Sequence, residues 1–190
     1  AVAGITGTDG FSHLSANKMR YPKIKGLDVA IGVTAYQLAS SALATLHVVS
    51  RGRRETMETA RHIKQIVSGA VKQTRAKKYR HDTMREAAEG ALMAVYEIDG
   101  ADMMRQAVEG MVEAVRGSKK EKQLMLEEIG YAVVQAADRS DQDIVAASLE
   151  AIADAQEVAK KVQMTEQEIA LSFAKGAVAA ATTLGIKEEQ

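Results

Sequence analysis

The stretch GSKKEKQLMLEEIGYAVVQAADRSDQD, residues 117–143, decides how the rest of the chain is read. Gly117 can take the left-handed conformation that ends a helix at low cost. Ser118 followed by Glu121 is a reciprocal cap, in which each side chain satisfies a free amide of the other's end of the first turn. Apolar positions then recur at helical spacing until Arg139, where Ser140 and Asp143 repeat the pattern of a hydroxyl and an acid three residues on. A helix over 119–138, with a helix close on either side, is the direct prediction.

The same start signal occurs at Thr83-Met84-Arg85-Glu86 and Thr165-Glu166-Gln167-Glu168, and stops fall at Asp99-Gly100, Gly117, Arg139 and Gly185. Starts and stops alternate, which predicts helices over 83–98, 101–116, 119–138, 141–162 and 166–184. Apolar residues support them, for example Ala88, Leu92, Val95 and Ile98, or Ile144, Ala147, Leu149, Ile152 and Val158. Methionines 84, 93, 103, 104, 111 and 125 read as core filler between small residues. Connections of a few residues make consecutive helices antiparallel.

Upstream, residues 27–50 predict an apolar helix ended near Gly52, and residues 54–78 predict a basic one. Residues 1–26 read as an extended arm, because Gly4, Gly7, Gly10 and the sole proline, Pro22, interrupt any period. The fold class is therefore all-α: an extended N-terminal arm, then about seven helices in an antiparallel bundle-like array. The organisation is an arm over 1–26, an assembly and polyanion-binding unit over 27–85, and an acidic helical bundle over 86–190. Composition agrees, since 46% of the 190 residues are hydrophobic but only 4% aromatic, and small aliphatic side chains suit helices packed closely together.

Equal numbers of acids and bases give a net charge of zero, yet residues 1–85 carry +10 and residues 86–190 carry −10. From Arg51 to Arg85 there are 11 basic and 3 acidic residues. At about 100° per residue, Arg54, Arg61, Lys64, Lys72 and Arg75 fall on one stripe of the basic helix, and Ala60, Ile63, Ile66, Val67, Ala70 and Val71 on the other side. Arg51 and Arg53 precede the stripe, and Lys77, Lys78 and Arg80 continue it around Tyr79. Such a track suits a phosphate backbone, where cations release counterions and bind without regard to sequence. Few aromatics are interleaved, which favours a duplex over stacked single strands. The other reading is a solvated face, or one that docks on an acidic surface.

Residues 29–49 contain no Asp, Glu, Lys or Arg over 21 positions, roughly the length of a bilayer span. Thr34, Gln37, Ser40, Ser41, Thr45 and His47 lower its hydropathy, so a core or subunit-contact helix is expected rather than a membrane contact. The first ten residues lack the layout of a signal peptide. No cysteine is present, which excludes disulfides and thiol chemistry.

Enzymatic motifs do not assemble. Gly4-Ile5-Thr6-Gly7-Thr8-Asp9-Gly10 follows no strand, and Gly117-Ser118-Lys119-Lys120 lacks the first glycine of a P-loop. Glu55, Glu58 and His62 give at most part of a metal site, Asp138, Asp141 and Asp143 lack a calcium loop's glycine, and the pairs Glu127-Glu128 and Glu150 with Asp154 read as solvated faces. No catalytic residue, metal or cofactor is expected.

In charge layout and architecture across most of its length, the chain resembles the helical major coat proteins of filamentous archaeal double-stranded DNA viruses. The resemblance implies a non-enzymatic coat subunit that wraps DNA with cationic helices, self-assembles into a filament, and resides in the virion. Without that implication, the same features describe a cytoplasmic helical scaffold, free of nucleic acid, whose basic half docks an acidic partner or a neighbouring or paralogous subunit.

Overall fold

The computed structural model describes residues 61, 64–65, 80–99 and 104–186. The expected arm over 1–26 and helix over 27–50 lie outside the described residues. Arg61, Lys64 and Gln65 are helical, in keeping with the helix expected over 54–78. Five α-helices follow: α1 (Arg80–Asp99), α2 (Met104–Ala114), α3 (Lys119–Arg139), α4 (Ile144–Glu157) and α5 (Glu166–Leu184), with a short 3-10 helix at Ala159–Val162. Among the described residues there is no strand.

Two of the caps form as the sequence predicts. The Ser118 hydroxyl accepts from the Glu121 amide, and the Glu121 carboxylate accepts from the Ser118 amide at 2.8 Å. Thr165 and Glu168 make the same exchange at the start of α5. Replacing Ser118 by alanine should lower stability by about 1 kcal/mol, read as a shift of the urea midpoint, and Thr165→Ala should match it. A loss near zero for both would mean that the caps are redundant with packing.

Two other starts are corrected. Thr83 lies inside α1, which already begins at Arg80, so position 83 is not a helix start. Ser140 closes α3 instead of opening α4. Its amide donates to the carbonyls of Ala136 and Ala137, Asp141 turns left-handed at φ 54°, and the Gln142 amide reaches back to Ala137 O at 2.9 Å. This is a Schellman ending with aspartate where glycine usually sits. The start of α4 thereby moves from 141 to 144, where Asp143 caps the amides of Val145 and Ala146. The helix expected to reach 162 stops at Glu157 and finishes as the 3-10 turn.

Helix α3 is the centre of the bundle, packed most extensively on α5 and on α1. Helices α3 and α5 run in the same direction, since Lys119 pairs with Glu168 and Glu127 with Lys175 farther along both. Two successive chain reversals through α4 produce that arrangement, as short connections require. Where α3 and α5 cross, Gly130 and Gly176 replace side chains with backbone contact. A Cβ on Gly130 would lie 2.3 Å from the Phe173 carbonyl oxygen, and one on Gly176 would lie 1.8 Å from that of Glu127.

Around this crossing sits a core of Leu92, Leu126, Ile129, Ile169 and Phe173 with many alanines. Methionines 84, 93, 104, 111 and 125 are buried in it, as their spacing suggested, and Met103 lies outside the described residues. Flexible thioethers fill the irregular gaps that alanine-rich helices leave.

Candidate polyanion-binding residues and the acidic bundle

Of the ten cations read as a phosphate track, Arg51, Arg53, Arg54, Lys72, Arg75, Lys77 and Lys78 lie outside the described residues. Arg80 is the first residue of α1. Arg61 is exposed. Lys64, one turn on, is half-buried, and its Nζ donates to Glu113 Oε2 of α2 at 2.7 Å. The other oxygen of Glu113 accepts from Lys161 at 2.5 Å. Burial alone would push the Glu113 carboxyl up, but the two lysines outweigh it and hold the group below its ordinary range. The same contact raises Lys161.

A cation of the basic half is thus bound by a carboxylate of the acidic half within one chain. Arg85 repeats the theme from the end of the basic run. Its guanidinium pairs with Glu128 of α3 and lies 4.4 Å from the centre of the Tyr131 ring, a cation–π distance. Glu127 and Glu128, read from the sequence as a solvated face, therefore meet cations from α5 and α1 respectively. Sequence proximity hid these partners, which are 43 to 48 residues away.

Among the described residues, one acidic side chain is buried. Glu89 of α1 is 2% exposed and pairs with Arg139 from the last turn of α3. Burial pushes the Glu89 carboxyl up to about 7, against the pull of Arg139. No sequence signal marked it, since Glu89 shares its helix with other acids, among them the exposed Glu97.

Asp154 and Glu150 also differ from a plain solvated face. With Asp143 they edge a cleft of about 170 Å³ whose apolar lining comes from Met104 and Val108 of α2, Ala147 and Ala151 of α4, and Tyr96 of α1. Burial, helped by the Glu150 charge, pushes the Tyr96 hydroxyl up to about 12. Burial also raises Asp154, with Arg105 opposing and Glu109, Glu157 and Glu150 adding to it. Arg105 bridges α2 to α4, donating to Glu109 at 3.0 Å and pairing with Glu157.

Neither a family model, nor a curated protein, nor a solved structure matches this chain. Function must therefore be argued from side chains. The cleft lining holds three acids, a phenol and an amide. Among the described residues no group of three His, Asp or Glu side chains is arranged to hold a metal ion, and the Glu55, Glu58 and His62 set lies outside them. Among the described residues, too, no helix is long and apolar enough to cross a membrane, and the stretch 29–49 lies outside them.

Proposed function

We propose that this chain is a non-enzymatic structural subunit that self-assembles and binds the phosphate backbone of duplex nucleic acid through its basic half, in the manner of a coat or nucleoprotein-filament protein. The observation that carries the reading is the charge division, +10 over residues 1–85 against −10 over 86–190. Opposed charge at two ends of one chain favours head-to-tail contacts between copies, and contacts of that kind build filaments when they do not close. The cations at Lys72, Arg75, Lys77 and Lys78 lie close together in sequence, with Gln73, Thr74 and Ala76 between them. A duplex is the polyanion chosen because so few aromatics accompany them.

The test is affinity for a random-sequence DNA duplex against salt. Reversal of Lys72, Arg75, Lys77 and Lys78 to glutamate should weaken binding equally on all sequences. It should also reduce the slope of log affinity on log salt by about 3 to 4, at roughly 0.9 per lost phosphate contact. Unchanged binding removes the proposal. The ratio of absorbance at 260 and 280 nm on material from its native source is a second check, sensitive because five tyrosines and no tryptophan make the protein itself absorb weakly.

A second reading has its own observation in favour: Lys64 is paired with Glu113, so part of the basic half is complementary to the acidic half itself. On that reading the chain is a scaffold free of nucleic acid, whose basic half docks an acidic partner or a neighbouring copy. It predicts protein isolated without nucleic acid and self-association confined to low salt.

A further inference from the structure

Two lysines from the oppositely charged halves of the chain meet on one carboxylate. Glu113, in the last turn of α2, accepts from Lys64 on one oxygen at 2.7 Å and from Lys161 of the short 3-10 helix on the other at 2.5 Å. The lysines lie 49 and 48 positions from Glu113 in sequence, so the fold alone joins them. The acid is the most buried of the three, at 20% exposure against 35% for Lys64 and 59% for Lys161. More cations stand close by. Arg116 donates to the main-chain carbonyls of Glu113 and Val115, which screens the negative end of α2. The exposed Arg61 comes three residues before Lys64, and the exposed Lys160 directly precedes Lys161. Glu109, one turn back on α2, also bears on Lys161 but is held by Arg105 at 3.0 Å. The tie at Arg85 is of another kind, since its guanidinium is gripped by the Glu128 carboxylate and the Tyr131 ring together. Lys64 and Lys161 are point charges on flexible stems, which exchange one oxyanion for another without a fixed fork to satisfy.

We propose that this bridge is a phosphate-binding site that the chain fills with its own Glu113, and that a duplex backbone displaces the carboxylate and takes both lysines. The inference rests on the duplex-binding reading above and adds its regulation. Lys161, counted by sequence with the acidic half, becomes a contact of the polyanion, and Glu113 becomes a built-in competitor for it. A phosphodiester oxygen accepts the same charge-assisted hydrogen bond from an ammonium group as a carboxylate oxygen does. Lysine–carboxylate pairs near the surface are weak enough to be exchanged. The duplex has the advantage in that exchange, because it presents one negative charge per about 1.7 Å of axis where Glu113 presents one in all.

The affinity of the full-length protein for a random-sequence DNA duplex tests this. Glu113→Gln keeps the shape of the side chain and removes its charge. It should raise affinity about threefold to tenfold, since each weak pair amounts to a factor of up to about five. Lys161→Met should lower affinity and reduce the slope of log affinity on log salt by about 0.9, the mark of one lost phosphate contact. Asp138→Asn removes the same charge from an exposed position at the far end of α3 and should have far less effect than Glu113→Gln. An equal gain from Asp138→Asn would overturn the proposal in favour of net charge alone. So would an equal gain from Glu113→Gln when Lys64 and Lys161 are both replaced by methionine. Glu113→Asp, which keeps the charge but shortens its reach, stands in if the glutamine variant loses helix content. It should bind more tightly than the parent, and unchanged affinity there would overturn the proposal. A parent that binds the duplex while Glu113→Gln merely matches it overturns this inference and leaves the duplex reading standing. A parent that binds no duplex overturns both.

Discussion

Gly176→Ala should lower the stability of the bundle by about 3 kcal/mol or more. Two effects compete at this position, and their signs differ. In the middle of a helix, alanine is favoured over glycine by up to about 1 kcal/mol, so a site without neighbours would gain stability. At Gly176 a Cβ would stand 1.8 Å from the carbonyl oxygen of Glu127 and 2.9 Å from the amide of Tyr131, both backbone atoms of α3. Backbone cannot swing away as a side chain does. The helices must separate by more than 1 Å at the crossing, which loosens Phe173, Ile129 and Ile169 together, and dispersion contacts in a close-packed core fall steeply with such gaps. Gly130→Ala should behave alike, with a Cβ 2.3 Å from the Phe173 carbonyl oxygen. Gly185→Ala is the control: nothing lies within 4 Å, and only its φ of +74° opposes a side chain. It should cost about 1 kcal/mol. Urea unfolding followed by circular dichroism separates the three, and a stabilised Gly176→Ala protein would show that the α3–α5 crossing is not as close as described.

That crossing was not legible in the sequence, although much around it was. The capped starts at Ser118 and Thr165 are local chemistry, encoded within four residues, and they could be read directly. The false starts at Thr83 and Ser140 have the same letters. What separates them is whether the preceding turn still has helix to finish: Ser140 sits where α3 is closing through Asp141, and Thr83 falls where α1 has already begun. Helical period found Ala88, Leu92 and Val95 of the buried face of α1 but grouped the exposed Leu149 with Ile152 and the buried Val158, because period alone does not say how many neighbours surround a helix. Gly130 and Gly176 gave no signal, since glycine within a helical run is equally the mark of a weak helix. The basic stripe was legible as charge. Its ties to the bundle were not, because Lys64 to Glu113 and Arg85 to Glu128 are contacts between helices far apart in sequence.

The pair of Glu89 and Arg139 should give the protein a pH dependence of unusual sign for a carboxylate. A typical carboxylate is held below its ordinary range on folding and stabilises the fold above that range. Glu113 is of this kind, and its contribution should be lost as pH falls below about 4.3, the unfolded value. Glu89 is the reverse. Its folded value of about 7 lies above the unfolded one, so between about 4.3 and 7 the folded state binds more protons than the unfolded chain. Stability must then fall as pH rises through that window, by an amount on the order of 4 kcal/mol at about 1.4 kcal/mol per unit. Stability should therefore peak near pH 5, the lower limb belonging to groups such as Glu113 and the upper to Glu89. Glu89→Gln should flatten the upper limb and leave the lower one unchanged, and taking the difference between variant and parent cancels the titration of the four histidines. Arg139→Met should do the opposite. Without the cation the buried carboxylate has lost its principal compensation, and removing one partner of such a pair costs about 3 to 5 kcal/mol. The loss should be largest at pH 8 and shrink toward pH 5, where Glu89 can take a proton. Urea midpoints from pH 4 to 9 decide the matter, and parent and Glu89→Gln curves that run parallel between pH 5 and 8 would show that Glu89 is ionised in the folded protein across the whole range.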